Sequence, residues 1–228
     1  MVKLVPSIGS GPVKKQMMEA SKIMSKAEAA LRECQKEKGV ASNRETDPNQ
    51  TGLVGLEFSS ITTSIGSLEA KRTTTNPNFA GLVVFLLREA RVKSGDTVAV
   101  GASSSFPALA VAVLSAAKAM ELKPLVISSL GASQWGANNP DFHWLHIQEC
   151  LLRAGIFENK LIALSLGGEK DVGEDMSSEG RSLLSKEIER TGIFFLHEPD
   201  LKQNVEARMR LYQEKAGESG IKAFINIG

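Results

Sequence analysis

Cysteine is scarce in this chain. Only Cys34 and Cys150 occur among 228 residues, and neither belongs to a Cys-x-x-Cys or Cys/His spacing. That argues against a structural zinc site, and two isolated cysteines in segments that read as helical leave the redox compartment open. Excess charge of either sign is also missing: 27 Lys and Arg stand against 26 Asp and Glu, a formal net charge of +1, with the basic residues scattered along the chain. A dense positive footprint is what non-specific nucleic-acid binding needs, so nucleic acid is not an expected partner. No run of about 18 apolar residues occurs that would span a bilayer, and the first ten residues lack the roughly 7–15-residue apolar core of a signal peptide. There is no Walker loop, no Gly-x-Gly-x-x-Gly fingerprint, no Gly-x-Ser-x-Gly elbow and no His-Glu-x-x-His pattern, which counts against standard nucleotide binding and local metal motifs.

What is present is a globular composition, 42% hydrophobic and 23% charged, enough for one large domain with a substantial core. Residues 13–36 carry helical spacing, with Met17, Ile23, Met24, Ala27 and Leu31 on one face, and predict an amphipathic helix. The stretch 43–67 is rich in Gly, Thr and Ser and predicts a long irregular segment. After the basic, hydroxyl-rich turn at 71–78, a helix is expected over 79–90, with Pro77 suited to its entry. From 95 onward continuous Val/Ile/Leu/Phe runs at 97–101, 124–129, 161–166, 193–197 and 223–227 alternate with helical stretches at 108–121, 143–154, 178–190 and 201–216. Five such strands, unalternating as strands covered on both faces are, predict a doubly wound parallel α/β sheet, Rossmann-like and three-layered, with an N-terminal amphipathic helix. The expected organisation is a flexible leader at 1–12 and one α/β domain over 13–228, with a helical, loop-rich part at 13–94 and the sheet core at 95–228. The last strand run stops directly before Gly228, so the domain reads as cut short at its C-terminus.

In such a sheet the residues after each strand line one edge, where ligands bind. The turn after the first strand, Gly101-Ala102-Ser103-Ser104-Ser105-Phe106-Pro107, leads straight into a helix. Its serines suit helix capping, anion binding at the helix N-terminus, or nucleophilic attack. The second loop holds Ser128, Ser129, Ser133, Trp135 and Asn138 and reads as a binding loop or an Ω-loop packed on its own tryptophan. The third holds Gly168, Asp171, Glu174 and Asp175; its carboxylates are the one place where a divalent cation is an option, and otherwise no metal or cofactor is expected. Lys71, Arg72, Thr73, Thr74 and Asn76 form a cationic, hydroxyl-bearing segment suited to a carboxylate or phosphate, or to a plain surface turn. Of three histidines, His143 and His146 read as surface residues of a helix. His197, at a strand end, is the one placed to act as base for Ser103 or Ser105.

Several blocks taken together resemble one family. They are Asp47-Pro48-Asn49-Gln50-Thr51-Gly52-Leu53-Val54-Gly55, Ile61-Thr62-Thr63, and Leu68-Glu69-Ala70-Lys71-Arg72-Thr73-Thr74-Thr75-Asn76-Pro77-Asn78-Phe79-Ala80. With them come the 101–108 turn, the 127–138 loop, and Ser165-Leu166-Gly167-Gly168 with Asp171-Val172-Gly173. In this order the blocks are similar to the poly-γ-glutamate system proteins of bacteria, over most of the chain from Asp47 onward. The resemblance implies a role in making or processing an anionic capsule or secreted polymer, and other poly-γ-glutamate synthesis proteins as partners. It also implies a membrane anchor with the domain outside the cytoplasm, an anchor this sequence does not contain, and further chain beyond Gly228. The biochemical step is not assigned by the resemblance. The expected function is binding of a glutamyl polymer, an intermediate or a related anion at the carboxyl edge. The alternatives are a serine-type amidohydrolase or transferase acting on γ-glutamyl amides, with Ser103, Ser104 or Ser105 as nucleophile and His197 as base, and a sugar-isomerase-like domain binding phosphosugars. Oligomer formation stays open.

Overall fold

The structure, a computed structural model, describes residues 11–158 and 161–228. Most of the expected leader, residues 1–10, lies outside the described residues. Helix α1, Pro12–Glu37, starts with proline in its first turn, where a missing N–H costs nothing. It buries Ala20, Met24, Ala27 and Leu31, one stripe at helical spacing. Two helices follow, α2 at Leu68–Thr74 and α3 at Asn78–Glu89. The sheet core then alternates: β1 Thr97–Ser103, α4 Pro107–Ala119, β2 Lys123–Ser129, α5 Trp144–Arg153, β5 Leu161–Ser165, α6 Ser178–Thr191, α7 Leu201–Ala216 and β6 Ala223–Ile227. A small antiparallel pair, β3 Asn138–Asn139 and β4 Phe142–His143, sits between β2 and α5. No described helix is long and apolar enough to cross a membrane.

The α/β class is as the periodicity predicts, but the main sheet has four parallel strands in the order β5-β2-β1-β6. The fifth expected strand, 193–197, does not form. Its backbone touches the outer edge of β5 only around Phe195, where Leu164 N–H donates to Phe194 O (2.9 Å) and Leu196 N–H to Leu164 O (2.7 Å). Beyond that bridge the chain turns through Pro199 to Asp200, whose side chain caps α7 by accepting from Gln203 N–H, so pairing ends after one residue.

Side-chain alternation sorts the helices onto two faces. Val98, Val100, Ala102, Val126 and Leu164 point into the large core with residues of α1, α3, α4, α5 and α6. Ala99, Ile127 and Ala163 point the other way, onto Tyr212 of α7, whose hydroxyl donates to Val100 O at 2.7 Å. The chain therefore moves outward from β1 through β2 to β5 with helices on one face, then crosses the opposite face through α7 to pair β6 on the far side of β1. The winding reverses between β1 and β6, which makes the gap at their carboxyl ends the topological switch point.

Candidate functional site

The β1–α4 turn stands at that reversal. Ser103 closes β1, and the end of β6 lies beside it, with Ala102 in register with Ile227 and Gly228 against the Ser103 side chain. Helix α4 begins at Pro107 behind Phe106, and no side chain caps it. The first N–H groups of a helix have no intrahelical partner, so thirteen residues of aligned peptide dipole end here in donors. The serines do not serve as its cap. Ser103 Oγ accepts from Ser105 N–H (3.1 Å), Ser104 Oγ donates to Ser129 O (2.5 Å), and Ser105 Oγ accepts from Ser133 N–H (3.0 Å). Ser128, fully buried, donates to Ala102 O (3.0 Å) and ties β2 to β1. Ser103, Ser105 and Ser129 remain half-buried at the edge. Gly101 is half-buried on the α7 face, where a Cβ would press on the Phe224 ring at 3.4 Å.

Lys71 joins this cluster, which corrects the expectation of a basic turn at 71–78. It belongs to α2, whose N-cap Ser67 accepts from Ala70 N–H, and it is 2% exposed. Its Nζ donates to Ser133 Oγ at 2.9 Å and lies 3.5 Å from the centre of the Phe106 ring, at the start of α4. No carboxylate of the described residues pairs with it. Burial without a counter-ion lowers its pKa from 10.5 to about 8. Below about pH 8 the folded and unfolded chains both hold this proton and the burial penalty is carried in full. Between about 8 and 10.5 the unfolded chain binds more protons, so this lysine's share of stability rises with pH. Lys71→Met is therefore expected to stabilise the protein at neutral pH by about 1–2 kcal/mol, net of the lost cation–π contact, with the gain shrinking toward pH 10. Denaturant unfolding of both proteins across that range measures it; an equal gain at every pH would contradict the assignment.

The rest of the expected cationic segment faces away from the edge. Arg72 donates from Nε to Thr46 O (2.8 Å) and from Nη2 to Glu45 O, and with Thr73 and Asn76 it lines a separate cleft beside α1. Thr73 Oγ1 donates to Glu69 O and buried Thr74 Oγ1 to Lys71 O, both at 2.8 Å, while Asn76 Oδ1 accepts from Asn78 N–H. The expected single patch from Lys71 to Asn76 is thus split between two sides of α2.

The 128–139 loop is packed, not open. Ser133, Gln134 and Asn138 are buried. Trp135, half-buried at φ 62°, exchanges backbone bonds with the 43–67 stretch, its N–H donating to Leu56 O and its carbonyl accepting from Gly55 N–H. Asn138 is fully buried: its Nδ2 donates to Leu56 O and Thr62 Oγ1, and its Oδ1 accepts from Leu56 N–H, all within 2.8–2.9 Å. Asn138 clamps two irregular segments together, with its side-chain amide engaged in bonds within the chain. The 43–67 stretch is accordingly ordered through these bonds.

The acidic loop is likewise satisfied from within. Asp171 accepts from Ser165 Oγ (2.7 Å), Asn204 Nδ2 (3.0 Å) and Arg208 Nη2; Glu174 pairs with Lys170, and Asp175 accepts from Glu169 N–H. The three carboxylates do not converge, and no group of three or more His, Cys, Asp or Glu suited to a metal ion occurs among the described residues. Gly168, exposed at φ 69°, holds a left-handed backbone that favours glycine, and a Cβ there would displace the Asp175 carboxylate.

His197 is exposed beyond the outer edge of β5 and lies against Phe195. Both β5 and β2 stand between it and β1, three strand spacings or roughly 14 Å. The structure does not bring it to Ser103 or Ser105. His143, expected at the surface, is fully buried; burial first, then His146, lowers its pKa to about 3.

The structure adds Ser165, Asn204 and Arg208 to the edge. Ser103, Ser129 and Ser165 are in register across β1, β2 and β5, on the α7 face. Arg208 donates to Ser165 Oγ at 2.8 Å and to Asn204 Oδ1 at 2.8 Å. A signal for this was present: Asn204, Arg208 and Tyr212 recur every four residues, and such a stripe on a helix faces one neighbour. Comparison with family models, with characterised proteins and with solved structures returns no match for this chain.

Proposed function

We propose that this chain binds an anionic glutamyl ligand, a polymer, an intermediate or a related anion, at the switch point between β1 and β6, and works within a poly-γ-glutamate system. The observation that carries the reading is the coincidence at one turn of the topological reversal, an uncapped helix N-terminus and a buried lysine without a counter-ion. Hydroxyls of Ser103, Ser105 and Ser129 supply further donors for carboxylates. The disulfide between Cys34 and Cys150 favours an oxidising compartment, in keeping with a domain held outside the cytoplasm. A serine-type mechanism based on His197 gains no geometry.

Isothermal titration with a γ-glutamyl oligomer tests the reading. Binding is expected to weaken as ionic strength rises from about 0.01 to 0.15 M and to fall about tenfold or more in Lys71→Met, the loss of one charge-assisted contact. Oligomer binding indifferent to both changes would sink it. Thermal protection by sugar phosphates and not by glutamyl oligomers would move the assignment to a phosphosugar-binding domain.

A further inference from the structure

The cleft on the other side of α2 has a chemistry of its own. It is bounded by α1, the 45–51 loop and the α2–α3 junction, and encloses about 600 Å³. Glu28 lines it, 9% exposed, and its Oε1 is fully buried with no hydrogen-bond partner. A buried carboxylate oxygen left unpaired is costly and asks for a donor. Arg32, one turn further along α1, is its natural i,i+4 partner. Yet Arg32 gives Nε to Gln50 O and Nη2 to Asn49 O. Arg72, across the cleft, gives the same two nitrogens to Thr46 O and Glu45 O. Each guanidinium keeps an Nη1 with no partner among the described residues, and Asn76 likewise keeps its Nδ2.

We propose that this cleft is a second binding site, taking a small zwitterion with a primary ammonium group and a carboxylate, the chemistry of a free amino acid. The ammonium meets Glu28; the carboxylate meets the spare donors of Arg32, Arg72 and Asn76. Mixed lining selects against the simpler ligands. A dianion such as phosphate meets Glu28, with the Asp47 carboxylate close by, and a divalent cation meets two guanidiniums. Burial, then Asp47, raises the Glu28 pKa to about 7, with Arg32 opposing, so ligand binding strengthens as Glu28 ionises above that pH.

Calorimetric titration of the full chain above about pH 7, with glycine, L-glutamate and L-lysine beside ethylamine and acetate, tests the site. At least one amino acid is expected to bind about tenfold or more tightly than ethylamine or acetate. Glu28→Gln is expected to weaken that binding by about tenfold while leaving the melting temperature equal or higher, because the amide replaces a buried carboxyl group whose Oε1 has no partner. Lys71→Met is expected to leave glycine and L-lysine binding unchanged, which separates this site from the switch point, and a loss of their binding in that variant would overturn the proposal. No binding of any of the three amino acids, wild-type affinity in Glu28→Gln, or ethylamine or acetate binding as tightly as the amino acids would each overturn the proposal.

Discussion

Reduction of the Cys34–Cys150 disulfide, or replacement of both cysteines by serine, is expected to lower the unfolding free energy by about 4 kcal/mol. The bridge joins the end of α1 to α5 across 116 residues of sequence. A cross-link closing a loop of that length removes denatured-state entropy worth roughly 4–5 kcal/mol in the chain-entropy account. Beyond shared apolar packing in the core, the polar ties between these helices are weak. Arg153–Glu37 is largely exposed and Lys38–Glu149 partly so, and surface ion pairs contribute about 0–1 kcal/mol. For a chain of this size the expected fall in melting temperature is roughly 8–16 °C. Thermal unfolding with and without reductant measures it, with the double serine variant as control for thiol chemistry. Melting temperatures within about 2 °C of each other would mean that the α1–α5 contact holds without the bridge.

Asn138→Ala is expected to cost about 3 kcal/mol of stability. The substitution removes three hydrogen bonds at a fully buried position: Leu56 O keeps Trp135 N–H and Thr62 Oγ1 keeps Ser59 N–H, but Leu56 N–H loses its only partner. Each buried group left unpaired costs about 1–3 kcal/mol, partly recovered by relaxation. Asn138→Asp, nearly isosteric, keeps an acceptor for Leu56 N–H but buries a charge against Leu56 O, and is expected to fall at least as far. Urea unfolding gives both values. If instead Asn138 served a ligand, its alanine variant would keep its stability and lose affinity, the opposite pair of results.

How far the sequence could be read follows from how local each feature is. The helices at 12–37, 107–119, 178–191 and 201–216 and the strands β1, β2, β5 and β6 were legible because each carries its own period, apolar run or entry residue. The run at 193–197 was misleading. Its composition suits a strand, but pairing with β5 is limited to one residue, and pairing is a property of two segments. The 71–78 stretch misled in the other direction: Lys71 looks solvent-seeking in sequence, and only the approach of Phe106 and Ser133, 35 and 62 residues away, buries it.

The same distinction separates the parts of the edge. That the Ser103–Ser105 turn stands at a carboxyl end, before a helix, needed only the order of an apolar run, small residues and a proline. That this turn is the switch point depends on β6 returning beside β1 and not beyond β5, a choice made by α7 packing its Tyr212 face onto Ala99, Ile127 and Ala163. Likewise the acidic residues at 171–175 were visible as a cluster. Whether they converge on a cation or turn to Arg208, Asn204, Lys170 and their own backbone is decided by which side chains the fold brings within hydrogen-bond reach.

By itself, then, the sequence determined the α/β class, the element order and the small-residue turns at strand ends, because backbone propensity and hydrophobic period act over a few residues. The tertiary structure alone decided strand order, the Cys34–Cys150 link, the burial of Lys71 and Glu28, and the division of one basic segment between two clefts. Those depend on contacts between residues tens to more than a hundred positions apart, where desolvation and pairing, not local preference, set the outcome.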